Sequence, residues 1–168
     1  MGAGGQQGGV CLGESELEQS VLAPCEHGLF LVDRGVLVDR DVLIGGSGLD
    51  VLHGGAGKDR LTGGSDIDFF RFANASDSGV GTAKRDVITD FTDRADIIEL
   101  KFIDANIGTA ADDAFGFVGT NVSFGGSAGE LRARWTADGQ IVEGDVNGDR
   151  KADFSIELYD PQHALTLT

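Results

Sequence analysis

Aspartate recurs in this chain at a spacing suited to a hard cation. Asp41, Asp50, Asp59 and Asp68 stand nine residues apart. From Gly45 the chain reads GGSGLDVLH, then GGAGKDRLT, then GGSDIDFFR. Against G-G-x-G-x-D-x-U-x, with U a large apolar residue, 14 of 15 fixed positions match. The one departure is Asp66, where glycine is expected. A full match arises by chance roughly once in several thousand starts at this composition. Three in register define a repeat. A flexible glycine linker would lack the phased apolar residues. Carboxylate and carbonyl oxygens at such density suit Ca²⁺, which takes 6–8 oxygen ligands.

Positioning those oxygens requires a particular coil. Glycine tolerates φ > 0, so the first six residues of each repeat can turn tightly. The last three form a short strand with the central apolar residue inward. Two nonapeptides then make one right-handed turn of 18 residues, and strands of successive turns pair in parallel about 4.8 Å apart. Asp50 is thereby stacked with Asp68, and Asp41 with Asp59 on the opposite edge. Carboxylates about 5 Å apart repel by about 0.8 kcal/mol even in water. A Ca²⁺ between turns reverses that sign. Its expected ligands are these four aspartates and main-chain carbonyls of the turns at Gly45, Ser47 and Gly48, at Gly54, Ala56 and Gly57, and at Gly63 and Ser65. Several ions are expected.

These nonapeptides resemble the calcium-binding β-roll of secreted RTX proteins. The residues after them narrow the match. Phe69-Phe70-Arg71-Phe72 leads into Ser76-Asp77-Ser78-Gly79, then Arg85-Asp86-Val87-Ile88-Thr89-Asp90-Phe91 and Asp96-Ile97-Ile98-Glu99-Leu100. This is similar to the C-terminal domain of the serralysin-like metallopeptidases, over roughly residues 40–168. The resemblance implies a secreted, extracellular bacterial protein, export by type I secretion machinery, and a non-catalytic module that folds on calcium. In such exported proteins the C-terminal signal often ends in an acid followed by apolar residues. Here the chain stops at His163-Ala164-Leu165-Thr166-Leu167-Thr168 without that acid.

The expected fold is all-β: a short parallel roll over residues 36–72, capped by an antiparallel sheet over residues 73–168, as one folding unit. In the cap, Leu131, Ala133 and Trp135 alternate with Arg132 and Arg134. Phe154, Ile156 and Leu158 alternate with Ser155, Glu157 and Tyr159. Both patterns mark half-buried strands. Gly125-Gly126, Asp138-Gly139 and Asn147-Gly148 mark turns. Helix is expected to be scarce, at most a turn or two over residues 107–113. The cap would cover an open edge that otherwise invites self-association, so a monomer is expected.

Two further acidic groups carry open alternatives. Asp145, Asn147, Asp149 and Asp153 place oxygens at positions 1, 3, 5 and 9 of an EF-hand-like loop, and the Lys151 carbonyl would serve position 7. Arg150 replaces the usual glycine and Ile156 the closing acid, so this is either a calcium loop or a solvated turn. Asp86, Asp90 and Asp96 either support another ion or cap strand ends.

Composition narrows the remaining functions. Of 168 residues 27 are glycine, and 28 acids against 13 Lys and Arg give a net charge of −15. That balance argues against nucleic acid and anionic membranes. No apolar run reaches the length of a membrane span. H-E-x-x-H, the P-loop and a helix-opening G-x-G-x-x-G are all missing from the chain. No zinc is therefore expected. The rival readings are a C-terminal fragment of a zinc metallopeptidase and an adhesion or polysaccharide-binding module. The latter would rely on Trp135 and Tyr159, and Trp135 alternates with the inward side. Cys11 and Cys25 lack metal-ligand spacing, and Cys25-Glu26-His27 lacks partners. Residues 1–35 read as a disordered or mis-started segment, and residues 32–43 echo with a six-residue period.

Overall fold

The computed structural model describes residues 40–159, together with the backbone of β1 (Val21–Leu22) and β2 (Phe30–Val32). Cys11, Cys25, His27, His163 and most of the six-residue echo lie outside the described residues. All regular structure among the described residues is strand, and no helix there is long and apolar enough to cross a membrane.

Two parallel ladders form the roll. One begins with β1, β3 (Val42–Ser47), β5 (Arg60–Ser65) and β7 (Asp86–Ile88). The other contains β2, β4 (Val51–His53), β6 (Phe69–Arg71) and β8 (Ile97–Glu99). Leu43 pairs with Leu61 and Leu52 with Phe70, which is the 18-residue offset expected of two nonapeptides per turn. Those four side chains are fully buried. Every second strand residue faces inward, so the U position of each repeat stacks on the one below it.

Strand pairing extends past both ends of residues 36–72. Upstream, Val21 and Leu22 pair with Val42 and Leu43, and residues 30–32 pair with 51–53. Downstream, Leu61 pairs with Ile88 and Phe70 with Ile98. The chain therefore completes another turn of roll after the repeats end. That turn is longer because residues 73–85 and 89–96 replace the compact glycine turns.

The remaining described strands continue the first sheet. Its further strands are β9 (Gly116–Thr120), β10 (Glu130–Thr136), β11 (Gly139–Asp145) and β12 (Phe154–Tyr159). Their order onward from β7 is β12, β11, β10, β9. The β10, β11 and β12 strands pair antiparallel, as the alternating pattern predicts. However, β12 pairs parallel with β7, and β9 pairs parallel with β10. The cap is thus fused edge to edge with the roll rather than stacked on its end. Leu158 sits beside Ile88 across that junction and extends the column of buried side chains. Phe154 packs edge-on against Phe115 with centroids 5.5 Å apart. Gly144 lies where any Cβ would strike the Phe154 ring.

Two local expectations change. Residues 107–113 form turns, not helix: Asn106 Oδ1 accepts the Gly108 N–H, and the Thr109 N–H reaches the Asn106 carbonyl. Asn and Gly favour such side-chain-closed turns over helix. Trp135 is 37% exposed, because this end of β10 runs past the core toward the Asp138-Gly139 turn. Ala133 is the inward residue of that strand, with Leu131 partly buried.

Candidate calcium site

The aspartates close two ladders, one along each edge of the roll. On the first edge the Asp41 N–H donates to Asp59 Oδ1 at 2.8 Å, and the Asp59 N–H donates to Asp86 Oδ1 at 2.8 Å. On the second, the Asp50 N–H donates to Asp68 Oδ1 at 3.0 Å, and the Asp68 N–H to Asp96 Oδ1 at 3.0 Å. The structure therefore brings together both expected pairs and adds a third rung to each. Sequence spacing hid those rungs, since Asp86 and Asp96 follow their partners by 27 and 28 residues. A local signal was present: Asp86-Val87-Ile88 and Asp96-Ile97-Ile98 keep the D-x-U order of the repeats. The group Asp86, Asp90 and Asp96 is divided between edges, with Asp86 on the first and the other two on the second.

The six rung aspartates are buried, with exposures of 0 to 9%. In Asp59 and Asp68 one oxygen accepts a main-chain N–H and the other lies against the glycine turn. A Cβ added to Gly45, Gly54 or Gly63 would overlap the carboxylate of Asp50, Asp59 or Asp68 respectively. Glycine at the first repeat position is thus needed for space. The second oxygens of Asp68 and Asp86 are buried and have no hydrogen-bond partner. A buried carboxylate oxygen of that kind costs stability unless a proton or cation meets it.

The turns have the conformation the repeat demands. Gly48 and Gly57 have φ of 95° and 150°. Asp66, at the equivalent position of the third repeat, takes φ 82°, a region L-residues rarely adopt. Its carboxylate accepts the Gly48 N–H of the turn below at 3.2 Å. Asp90 accepts the N–H groups of Gly63 and Gly64 at 2.9 and 2.8 Å, holding the uppermost glycine turn from above.

Proton affinities report the strain of this arrangement. Burial raises Asp86 to about 9, with the Asp59 charge adding to the rise. Burial likewise raises Asp68 to about 6, with the charges of Asp96, Asp50 and Asp90 adding to it. Asp96 is raised for the same reason, with Asp90 as the neighbouring charge. Asp77 behaves oppositely. Burial would raise it, but hydrogen bonds from His53, Ala73 and Asn74 outweigh that and lower it. Its Oδ2 accepts the Ala73 N–H at 2.8 Å and lies 3.3 Å from His53 Nε2.

The turn over residues 145–153 is built differently. Asp145 is fully buried, and it accepts the N–H groups of Asn147, Gly148 and Arg150 at 3.1, 2.6 and 2.8 Å. Asp153 accepts the Val146 N–H and the Asn147 side-chain amide, both at 2.8 Å. Asn147 accepts the Asp149 N–H, and Asp149 accepts the Lys151 N–H. Arg150 adopts φ 72°, so it takes the glycine-like conformation of the sixth loop position despite its side chain. The carboxylates here are already engaged by the loop's own main chain.

Among the described residues, no three His, Cys, Asp or Glu side chains converge on one point. A cation on the roll edges must therefore draw on main-chain carbonyls as well as the paired aspartates. The family described as Peptidase M10 serralysin C terminal matches residues 28–166. The chain belongs to that family. It is an RTX-type module of serralysin kind, the part of such proteins that lies outside the catalytic domain. The match starts upstream of residue 36 and includes β2, in agreement with the strand pairing. No curated protein matches the chain.

Proposed function

We propose that this module binds Ca²⁺ along both edges of its roll and uses that binding to fold outside the cell. The observation that carries this reading is the buried aspartate ladder, with second oxygens of Asp68 and Asp86 facing no donor. Asp41 with Asp59 and Asp50 with Asp68 would hold ions together with carbonyls of the Gly45, Gly54 and Gly63 turns. Asp86 and Asp96 extend the ladders. Bound calcium would supply positive charge where burial and like charge otherwise destabilise ionised carboxylates. Where Ca²⁺ is scarce, as inside a cell, the ladder opposes folding. At millimolar Ca²⁺, sites of the 10⁻⁴–10⁻³ M class fill, and binding becomes folding energy. That difference suits a chain exported unfolded by type I machinery from a bacterium and folded as an extracellular monomer.

The test is far-UV circular dichroism during a Ca²⁺ titration from EGTA, with Mg²⁺ as control. A cooperative gain of β signal with Ca²⁺ alone is expected. A β signal unchanged by Ca²⁺ overturns the reading. The adhesion reading draws no support from the register. Trp135 pairs with Gln140, itself opposite Leu158, whereas Tyr159 lies opposite Gly139 in the next row. Adjacent rows face opposite sides of a sheet, so the two rings cannot form one stacking platform.

A further inference from the structure

The two edges of the roll carry the same ladder in unequal electrostatic surroundings. The turns of the second edge, residues 45–50 and 63–68, contain no lysine or arginine. They place Ser47 in register with Ser65, where the first-edge turn has Ala56. Two further carboxylates join this edge. Asp66 accepts the Gly48 N–H, and Asp90 accepts the N–H groups of Gly63 and Gly64. The charge of Asp90 acts on both Asp68 and Asp96. Arg94, in the loop between Asp90 and Asp96, has a side chain 82% exposed and lies 3.8 Å from Asp93. The first edge differs. Lys58 stands immediately before Asp59, donates to the Thr82 carbonyl at 2.6 Å, and its charge favours the ionised form of Asp86. That edge also meets an extra acid, Asp77, but its Oδ2 is already taken by the N–H groups of Ala73 and Asn74.

We infer that the second edge holds Ca²⁺ more tightly than the first, so that the module has two classes of calcium site, with Asp66 and Lys58 setting the difference. The inference rests on the calcium reading above and adds a rank order to it. A divalent ion gains from each nearby carboxylate and loses to each nearby ammonium, and burial weakens the screening between them. On the second edge Asp66 supplies a charge where the other repeats have glycine, at a backbone φ of 82°. On the first edge Lys58 already brings part of the positive charge that an ion would bring, so the ion gains less there.

Nuclear magnetic resonance of the full chain provides the test, with free Ca²⁺ lowered stepwise by EGTA from the loaded state. Amides of Asp41 and Asp59 report the first edge, and those of Gly48, Asp50 and Asp68 the second. The first-edge amides should leave their calcium-loaded positions at a free Ca²⁺ about fivefold or more above the second-edge midpoint. K58Q should lower the first-edge midpoint. Loss of the Lys58 bond to Thr82 would by itself raise that midpoint, so charge and contact predict opposite signs. D66N should raise the second-edge midpoint and leave the first in place, because asparagine tolerates this φ and can still accept the Gly48 N–H. One midpoint shared by both edges, or an upward shift in K58Q, overturns the inference and leaves calcium-coupled folding standing. Amides unmoved by calcium at either edge overturn both.

Discussion

Replacing Asp68 by asparagine should move stability in opposite directions with and without calcium. The side chain keeps its size, and Asn Oδ1 can still accept the Asp50 N–H now bound at 3.0 Å. What changes is the charge and the second oxygen, which is buried without a donor. Holding Asp68 ionised at pH 7 is unfavourable, because burial has raised its pKa from 3.8 to about 6. Two pKa units correspond to about 3 kcal/mol, and solvent screening at the edge of the roll reduces this to about 1–2 kcal/mol. In EGTA, D68N should therefore be more stable than the parent by about that amount. In calcium the same change removes a charged ligand and should raise the calcium midpoint at least tenfold, about 1.4 kcal/mol per site. Thermal melts followed by circular dichroism, in EGTA and in millimolar Ca²⁺, read both signs. An equal loss of stability in the two conditions would refute the reasoning, since it would make Asp68 an ordinary structural hydrogen-bond acceptor.

Other outcomes follow from the same geometry. G63A should destabilise the calcium-loaded module by about 1–3 kcal/mol, because the new methyl would press on Asp68 Cβ and Cγ; a variant with unchanged melting and calcium midpoint would contradict the steric role. D145A leaves three N–H donors of the 145–153 turn without their buried acceptor. It should cost about 2–4 kcal/mol equally with and without calcium in chemical denaturation. A loss seen only in calcium would instead make this turn an ion site. For pH, the raised Asp68 and Asp86 bind protons more tightly folded than unfolded, so calcium-free stability should fall as pH rises from about 4 to about 9. Calcium must displace those protons, so its midpoint should drop between about pH 6 and about pH 8. Below about pH 4 the trend reverses, as Asp77, Glu99 and Glu143, whose pKa values folding lowers, take up protons and lose their partners.

The part of this protein legible in its sequence is the part with short-range periodicity. A nine-residue repeat fixes which residues turn and which point inward. It therefore fixes the 18-residue register of Leu43 on Leu61 and of Asp50 against Asp68. Those relations depend on local backbone geometry, which glycine and aspartate dictate within one repeat. Asp66 shows the limit of the pattern, because the structure accepts aspartate at a glycine position by giving its carboxylate the Gly48 N–H. Once the repeat ends, partners are set by tertiary pairing, whose register is written in no fixed interval. Asp86 and Asp96 join the ladders only because loops of unequal length return the chain to the same edges. In like manner β12 reaches β7 across 65 intervening residues (89–153), a pairing decided by where buried rows and free strand edges coincide.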